Sequence, residues 1–462
     1  MTFDMLPDDV LLAISDFDLG EEDSNAGFDI YRKQIVAWVR LAHVCRRWRS
    51  VVFQSPVRLN LRLFCTNNTP ARDTLGIWPP LPLIIFDILG SEPSDVDNII
   101  AALEYNDRIR QIKLHSIWYS TSEFDSVTNS VAMQKPFPEL SDLWLSKEVE
   151  DGQILPDSLL GETAPRLRSL YLSYIPFLGM PKLLFSATHL VNLDIRNIPR
   201  LGYITPEAMA TGLCALTNLE NLHLHFVHPT LRRPPPPPQT RFILPSLTEI
   251  RYQGISEYLE VILARIDTPR LDFLYITFFN QIIFNTSQLF QFISRRPTLR
   301  APEKGNIVFH DRGFNVRFPS LPDYGELKVE ILCTVLEWQL SSIEQVCTSS
   351  LPPVSTLKDL YIRSLGLRWQ DDVENTLWLE LLRPFSSVKN LYVCKEFVPR
   401  IVPALQELVG GRMTEVLPTL ENVFLEGSQP SGPLLQGIEK FVAARRLTSR
   451  PVAVSRWERS RF

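Results

Sequence analysis

Between residues 108 and 425 the apolar side chains return in short blocks of the form Leu-x-x-Leu-x-Leu, where x is mostly polar. Copies stand at 138–145, 165–172, 189–195, 218–224, 246–252, 269–276, 356–362, 387–393 and 418–425, with an earlier one at 108–114. The alternation within each block predicts a β-strand that buries one face. First apolar positions fall at 109, 140, 167, 190, 219, 247, 271, 357, 388 and 420, so neighbours are 23–32 residues apart except for one gap of 86. Leu299 and Leu327 divide that gap into 28, 28 and 30, which predicts two weaker copies there.

Between the blocks lie stripes at helical spacing. They are Val96, Ile99, Ile100 and Leu103; Tyr258, Val261, Ile262 and Arg265; and Leu289, Phe292 and Ile293. Further along come Leu336, Leu340, Ile343 and Cys347; Ile401, Leu405, Leu408 and Val409; and Leu435, Ile438, Phe441 and Val442. The two periods together predict an α/β solenoid with parallel strands inside and helices outside. Each unit relies on its neighbours to bury its apolar side.

Side chains alternate along a strand, so the middle residue of each Leu-x-Leu pair points away from that core. In order these are Lys113, Trp144, Tyr171, Asp194, His223, Arg251, Tyr275, Tyr361, Tyr392 and Phe424. Six of the ten are aromatic, where an overall aromatic content of 10% predicts about one. On a parallel sheet they form a row at roughly 5 Å spacing. Two aromatic runs, Trp144–Tyr171 and Tyr361–Tyr392–Phe424, flank a polar centre of Asp194, His223 and Arg251. Tyr and Trp are enriched at binding hot spots. Trp144, Tyr171, His223, Arg251, Tyr275, Tyr361, Tyr392 and Phe424 are therefore the candidate substrate-binding residues. The competing expectation is that the rings stack on one another, or lie beneath the C-terminal tail, and only stiffen the sheet.

A different pattern opens the chain. Leu6, Val10, Leu11, Ile14 and Phe17 recur at helical spacing around Pro7, Asp8 and Asp9, which suit a helix start. Leu41, Val44, Cys45, Trp48 and Val51 or Val52 form a second stripe with arginines opposite it. About fifty residues bury too little to be self-sufficient, so the apolar remainder predicts a partner. The Leu6-Pro7 start and the Val44-Cys45-Arg46-Arg47-Trp48 end resemble an F-box. Residues 18–35 depart from that pattern with an insertion rich in acids and glycine, which reads as a solvated loop.

With the repeats included, nearly the whole chain resembles the F-box proteins with divergent leucine-rich repeats that are abundant in mushroom-forming fungi. The C-terminal third is the closest match, around 337–342, 349–353, 397–401 and 453–457. The asparagine usual three residues after the last Leu of a repeat is replaced by Ile175, Ile198, Val227, Ile255, Phe279 and Leu365. The resemblance implies an F-box over 1–53, a repeat solenoid over 55–445 and a basic C-terminal tail or cap over 446–462. It implies a non-catalytic substrate-recognition adaptor of an SCF-type ubiquitin ligase. The F-box would dock on a Skp-type adaptor, and through it on a cullin scaffold, while the repeats hold an unknown protein target. Leu6, Pro7, Val10, Leu11, Ile14, Leu41, Val44, Cys45 and Trp48 fall at the family's adaptor-facing and core positions. The alternative is a repeat scaffold that binds partners independently of ubiquitination.

Composition narrows this little further. Apolar content of 45% with 21% charge is ordinary for a globular protein, and a net charge of −5 argues against a nucleic-acid partner. Six widely spaced cysteines and no signal peptide read as a reduced intracellular protein of the cytoplasm or nucleus. No stretch reaches the roughly 18 apolar residues of a membrane span.

The tightest group of possible metal ligands is His223, His225 and His228, but no nearby Cys or acid completes a site, so no metal or cofactor is expected. No nucleophile–base pairing or glycine-rich phosphate loop stands out. Arg232 through Pro238 predicts a stiff polyproline loop, the shape that small adaptor domains also recognise. Six arginines after Phe441 predict a closing helix and a cap, with a nucleic-acid or nuclear-entry role as the other reading.

Overall fold

The computed structural model describes residues 7–12, 44–54, 62–76, 80–89, 96–116, 121–150, 152–227, 241–279, 286–300, 302–319, 325–351, 354, 356–365, 373–408, 415–427 and 432–458. The chain divides into two compact units, Met1–Asn192 with Leu201–Tyr203, and Leu193–Arg200 with Ile204–Phe462. Both are mixed α/β and mostly parallel.

The first unit carries β1 (Leu63–Cys65), β2 (Leu83–Leu89), β3 (Ile109–Ser116), β4 (Asp142–Lys147) and β5 (Ser169–Ser173). They lie side by side in chain order, every pair parallel. The blocks at 108, 138 and 165 become β3, β4 and β5. The strands β1 and β2 precede the first block, and the Leu-x-x-Leu-x-Leu rule does not reach them. In β2 the consecutive residues Leu83, Ile84 and Ile85 are all buried, as in a strand covered on both faces, and Asp87 further along is buried too.

In the second unit the strands are β6 (Asn192–Ile198), β7 (Asn221–Phe226), β8 (Phe242–Ile243), β9 (Glu249–Gly254), β10 (Ile266–Asp267) and β11 (Phe273–Phe279). Next come β12 (Lys304–His310), β13 (Gly313–Phe318), β14 (Glu326–Leu332), β15 (Asp359–Ser364), β16 (Asn390–Val393), β17 (Asn422–Glu426) and β18 (Ala453–Trp457). Their order in the sheet is β6-β7-β9-β11-β14-β13-β12-β15-β16-β17-β18, while β8 and β10 pair separately.

That order corrects the reading of the 86-residue gap. Two plain repeats starting at Leu299 and Leu327 are not what fills it. Leu299 lies buried in a short helix, Pro297–Arg300, and Leu327 lies inside β14. The gap is spanned by a three-stranded antiparallel meander that runs backwards in space. The chain leaves β11, builds β12 against β15, and returns through β13 to place β14 against β11. An odd number of antiparallel strands leaves both outer strands parallel to their neighbours, so the surrounding parallel pairing survives. The local cause is the two-residue turn at Asp311–Arg312, too short for the helical crossover that a parallel pair requires. Gly313 follows it at φ +156°, and a Cβ there would stand 1.8 Å from the Ile331 carbonyl oxygen. Gly313→Ala is expected to lower stability by about 1–3 kcal/mol through that clash. An unchanged denaturation midpoint would contradict the hairpin.

The inward residues of the blocks are buried as pairs, such as Leu170 and Leu172, Leu360 and Ile362, and Leu391 and Val393. Helices cover this face. Leu222, Leu224, Ile250 and Tyr252 of β7 and β9 share a small apolar cavity with Leu259, Ile262 and Leu263 of the helix Ser256–Arg265. The predicted stripes lie on helices Val96–Leu103, Ser256–Arg265, Ser287–Ser294, Leu336–Ser349, Val398–Gln406 and Pro433–Leu447. There are two departures: Leu408 is buried just past its helix, and Leu435 is exposed. Val409 lies outside the described residues.

Helix ends find partners on neighbouring elements of the second unit. Glu260 accepts from the Gln288 and Leu289 N–H groups, both at 2.7 Å, and so caps the next helix along. Burial raises its carboxyl above the usual range, and those two bonds pull the other way. Arg445 is buried, and its guanidinium donates to the Leu417 and Leu420 carbonyls that lead into β17. The stretch 446–462 is therefore not uniform: 446–447 finish a helix and 453–457 form β18.

Candidate functional site

The middle residues of the blocks lie in register. In the second unit the Cα partners run His223–Arg251–Tyr275–Lys328–Arg317–Asn306–Tyr361–Tyr392–Phe424–Ser455 across nine adjacent pairs. Three of them, Lys328, Arg317 and Asn306, come from the meander and escaped the block pattern.

Its aromatic end is a stack. Tyr361 and Tyr392 lie 4.2 Å apart between ring centroids at 10°, and Tyr392 and Phe424 4.5 Å apart at 8°. Strand spacing fixes these distances, since identical positions on parallel neighbours repeat at about 4.8 Å. Burial first, and then the neighbouring Tyr392 and Asp359, push the Tyr361 phenol up to about 12. Burial likewise raises the Tyr392 phenol, so both phenols are neutral. Trp457 of β18 stands edge-on to the stack, 6.2 Å from Tyr361 and 5.6 Å from Tyr392, and its Nε1–H donates to the Val393 carbonyl at 3.4 Å. Both parts of the competing expectation, stacking and cover by the C-terminal segment, are thus present here.

Beside the rings runs a second row that the block reading passed over. Asn390 donates to Asp359 at 2.7 Å and Asn422 donates to Asn390 at 2.8 Å. Its signal was available: Asn192, Asn221, Asn390 and Asn422 occupy the same place in their blocks, just before the first Leu of Leu-x-Leu.

The polar centre is a charge network. Arg196 holds Asp194 with two bonds, at 2.9 and 2.8 Å, and Asp194 lies 3.1 Å from His223 Nδ1. On its other side His223 Nε2 is 3.4 Å from Glu249, which is paired with Arg251, and Arg251 lies 5.0 Å over the Tyr275 ring. Burial pushes the Asp194 carboxyl up, but the bonds and charges of His223 and Arg196 outweigh it and hold the group below its usual range. Burial, then the charge of Arg196, lowers the His225 imidazole, with Asp194 opposing. His223 thus lies between two carboxylates from the neighbouring strands. Of the three histidines considered as metal ligands, His228 lies outside the described residues.

In the first unit Lys113, Trp144 and Tyr171 are in register. Trp144 and Tyr171 lie 4.2 Å apart between ring centroids, and Trp144 remains 45% exposed. The N-terminal stripes are divided by burial. Leu11 and Trp48 are buried, at 2% and 4% exposure, whereas Pro7 is exposed and Val10 and Val44 are 40% and 52% exposed. Cys45 Sγ accepts from the Trp48 N–H at 3.3 Å, the geometry of an N-cap, and starts the helix Arg46–Gln54. Arg47 bonds Asp8 at 2.7 Å and ties the two segments together. Leu6, Ile14 and Leu41 lie outside the described residues, as does the polyproline segment.

All six cysteines are free. Among the described residues one group has donor atoms close enough to hold a metal ion: Cys394, Glu396 and Glu426, within 4.8 Å of one another. Burial and then Glu396 push the Cys394 thiol up to about 12, and Glu426 already accepts from the Lys395 N–H at 3.2 Å. Among the described residues no helix is long and apolar enough to cross a membrane. No protein-family model and no curated protein matches the chain.

Proposed function

We propose that the chain is a non-catalytic, substrate-recognition adaptor of an SCF-type ubiquitin ligase, built from an F-box and divergent leucine-rich repeats. The observation that carries the reading is the division of the N-terminal stripes. Leu11 and Trp48 are spent on the protein's own core, while Pro7, Val10 and Val44 present apolar surface to solvent. An exposed apolar face on a small helical element is what a Skp-type adaptor would cover, with a cullin scaffold beyond it. The in-register row of rings and charges is the proposed capture surface for the target protein. Catalysis is then proximity, target lysines being held near ubiquitin supplied by another subunit.

Val10→Asp with Val44→Asp tests the docking half. Both positions are exposed, so stability should stay within about 0.5 kcal/mol. Adaptor binding, measured by calorimetry with the purified adaptor, should fall about tenfold or more. Undiminished binding would leave the alternative, a repeat scaffold independent of ubiquitination. Tyr361→Ala with Tyr392→Ala tests the capture half. The folded variant should keep the adaptor and lose the neighbours that proximity labelling finds for the unaltered chain. Loss of folding instead would mean that the stack is structural.

A further inference from the structure

The strand β18 buries little of what its neighbours bury. Its register places Val454 opposite Val423 and Arg456 opposite Leu425. Val423 and Leu425 are core residues, but Val454 is only half-buried and Arg456 is exposed. The layer beneath is incompletely filled: Val454, Val423, Leu425, Val402, Leu405 and Phe441 border a small apolar cavity. The parallel ladder from Asn422–Ala453 to Glu426–Trp457 attaches the strand through the backbone, beginning with the Ala453 N–H to the Glu421 carbonyl at 2.9 Å.

One side chain of β18 goes further. The rings of Tyr361, Tyr392 and Phe424 each meet a ring on an adjacent strand, whereas Trp457 reaches past β17 to the rings of β16 and β15. Its indole lies edge-on over the stack, bonded to the Val393 carbonyl, with the Arg363 guanidinium 6.0 Å from the ring. Edge-to-face contact with two rings and a bonded indole N–H are what a recognition pocket for tryptophan supplies.

We infer that the edge of β17 and the Tyr361–Tyr392–Phe424 shelf form a docking site for an extended, tryptophan-bearing segment, and that β18 is its resident, displaceable occupant. A partner strand adds to the sheet as β18 does, its main chain on β17 and its indole in the place of Trp457. The tether gives the resident strand an effective concentration in the millimolar range, so a partner must outbid it or arrive when it is released. The identity of the displacing strand as a captured target rests on the capture-surface reading above. The measurements below do not involve the ligase adaptor, so the two can fail separately.

Hydrogen exchange on the full chain gives the first test. Amides of 453–457 should exchange about 100-fold faster than those of 422–426, because a dissociable strand opens without global unfolding. Equal protection of the two strands would overturn the proposal. The second test adds a labelled peptide with the sequence of residues 451–458 to the full chain and reads fluorescence anisotropy. Trp457→Ala in the chain should tighten peptide binding about tenfold by weakening the tethered competitor. The same substitution in the peptide, or Tyr361→Ala with Tyr392→Ala in the chain, should abolish it. Binding indifferent to the peptide's indole, or none to the Trp457→Ala chain, would also overturn it. Should that variant fail to fold, exchange on the unaltered chain decides alone.

Discussion

Leu360→Asp should deprive the second unit of a cooperative unfolding transition. Leu360 is fully buried, and its Cα partners are Gly305 on β12 and Leu391 on β16, so the carboxylate would enter a layer shared by three strands. Among the described residues of that row none is a cation that could compensate it. An uncompensated buried charge costs about 3–5 kcal/mol, a large part of the roughly 5–15 kcal/mol that holds a domain folded. Because each strand is completed by its neighbours, the loss should extend to β12 and β16. Exchange protection along 304–310, 359–364 and 390–393 would show it. A soluble protein with an unaltered denaturation curve would reverse the assignment of inward and outward faces.

The other large effect is expected at Trp48. At 4% exposure, Trp48→Ala should cost about 3–5 kcal/mol through lost burial and an unfilled cavity. The helix Arg46–Gln54 has nine residues, below the length that is stable alone, so packing must hold it. The exposed Arg47–Asp8 pair adds at most about 1 kcal/mol and cannot rescue it. The adaptor binding proposed above should therefore disappear along with protection of the 44–54 amides, while 359–364 and 390–393 stay protected. A variant that keeps both binding and protection would place the ring outside the core.

Much of this was legible along the chain. The period-two blocks named β3 to β7, β9, β11 and β15 to β17, and the period-3.6 stripes named six helices of the repeats, because both periods report burial directly; Thr121–Thr128, Met180–Ser186, Pro206–Leu213 and Asn375–Leu382 were not named. Register followed as well: equal offsets within each block put Tyr361, Tyr392 and Phe424 on one line, and chain geometry alone then sets their spacing. The N-terminal stripes were legible as apolar, but not as to which members face inward. Leu11 and Val10 are neighbours of similar hydrophobicity, and only packing sends one into the core.

The chain by itself determined the repeating α/β plan and the shared register of the block residues, since these depend on local alternation and on neighbours one repeat away; Lys328, Arg317 and Asn306 entered the row only through the meander. Only the tertiary structure decided three things. It reversed the strand order across the meander, because a two-residue turn closes an antiparallel pair while periodicity is blind to direction. It brought Asp194, His223 and Glu249 next to one another, residues 29 and 26 positions apart, because parallel pairing brings successive strands side by side. And it laid Trp457 on rings 65 and 96 residues away, a contact that no local pattern encodes because it depends on where β18 finds an open sheet edge.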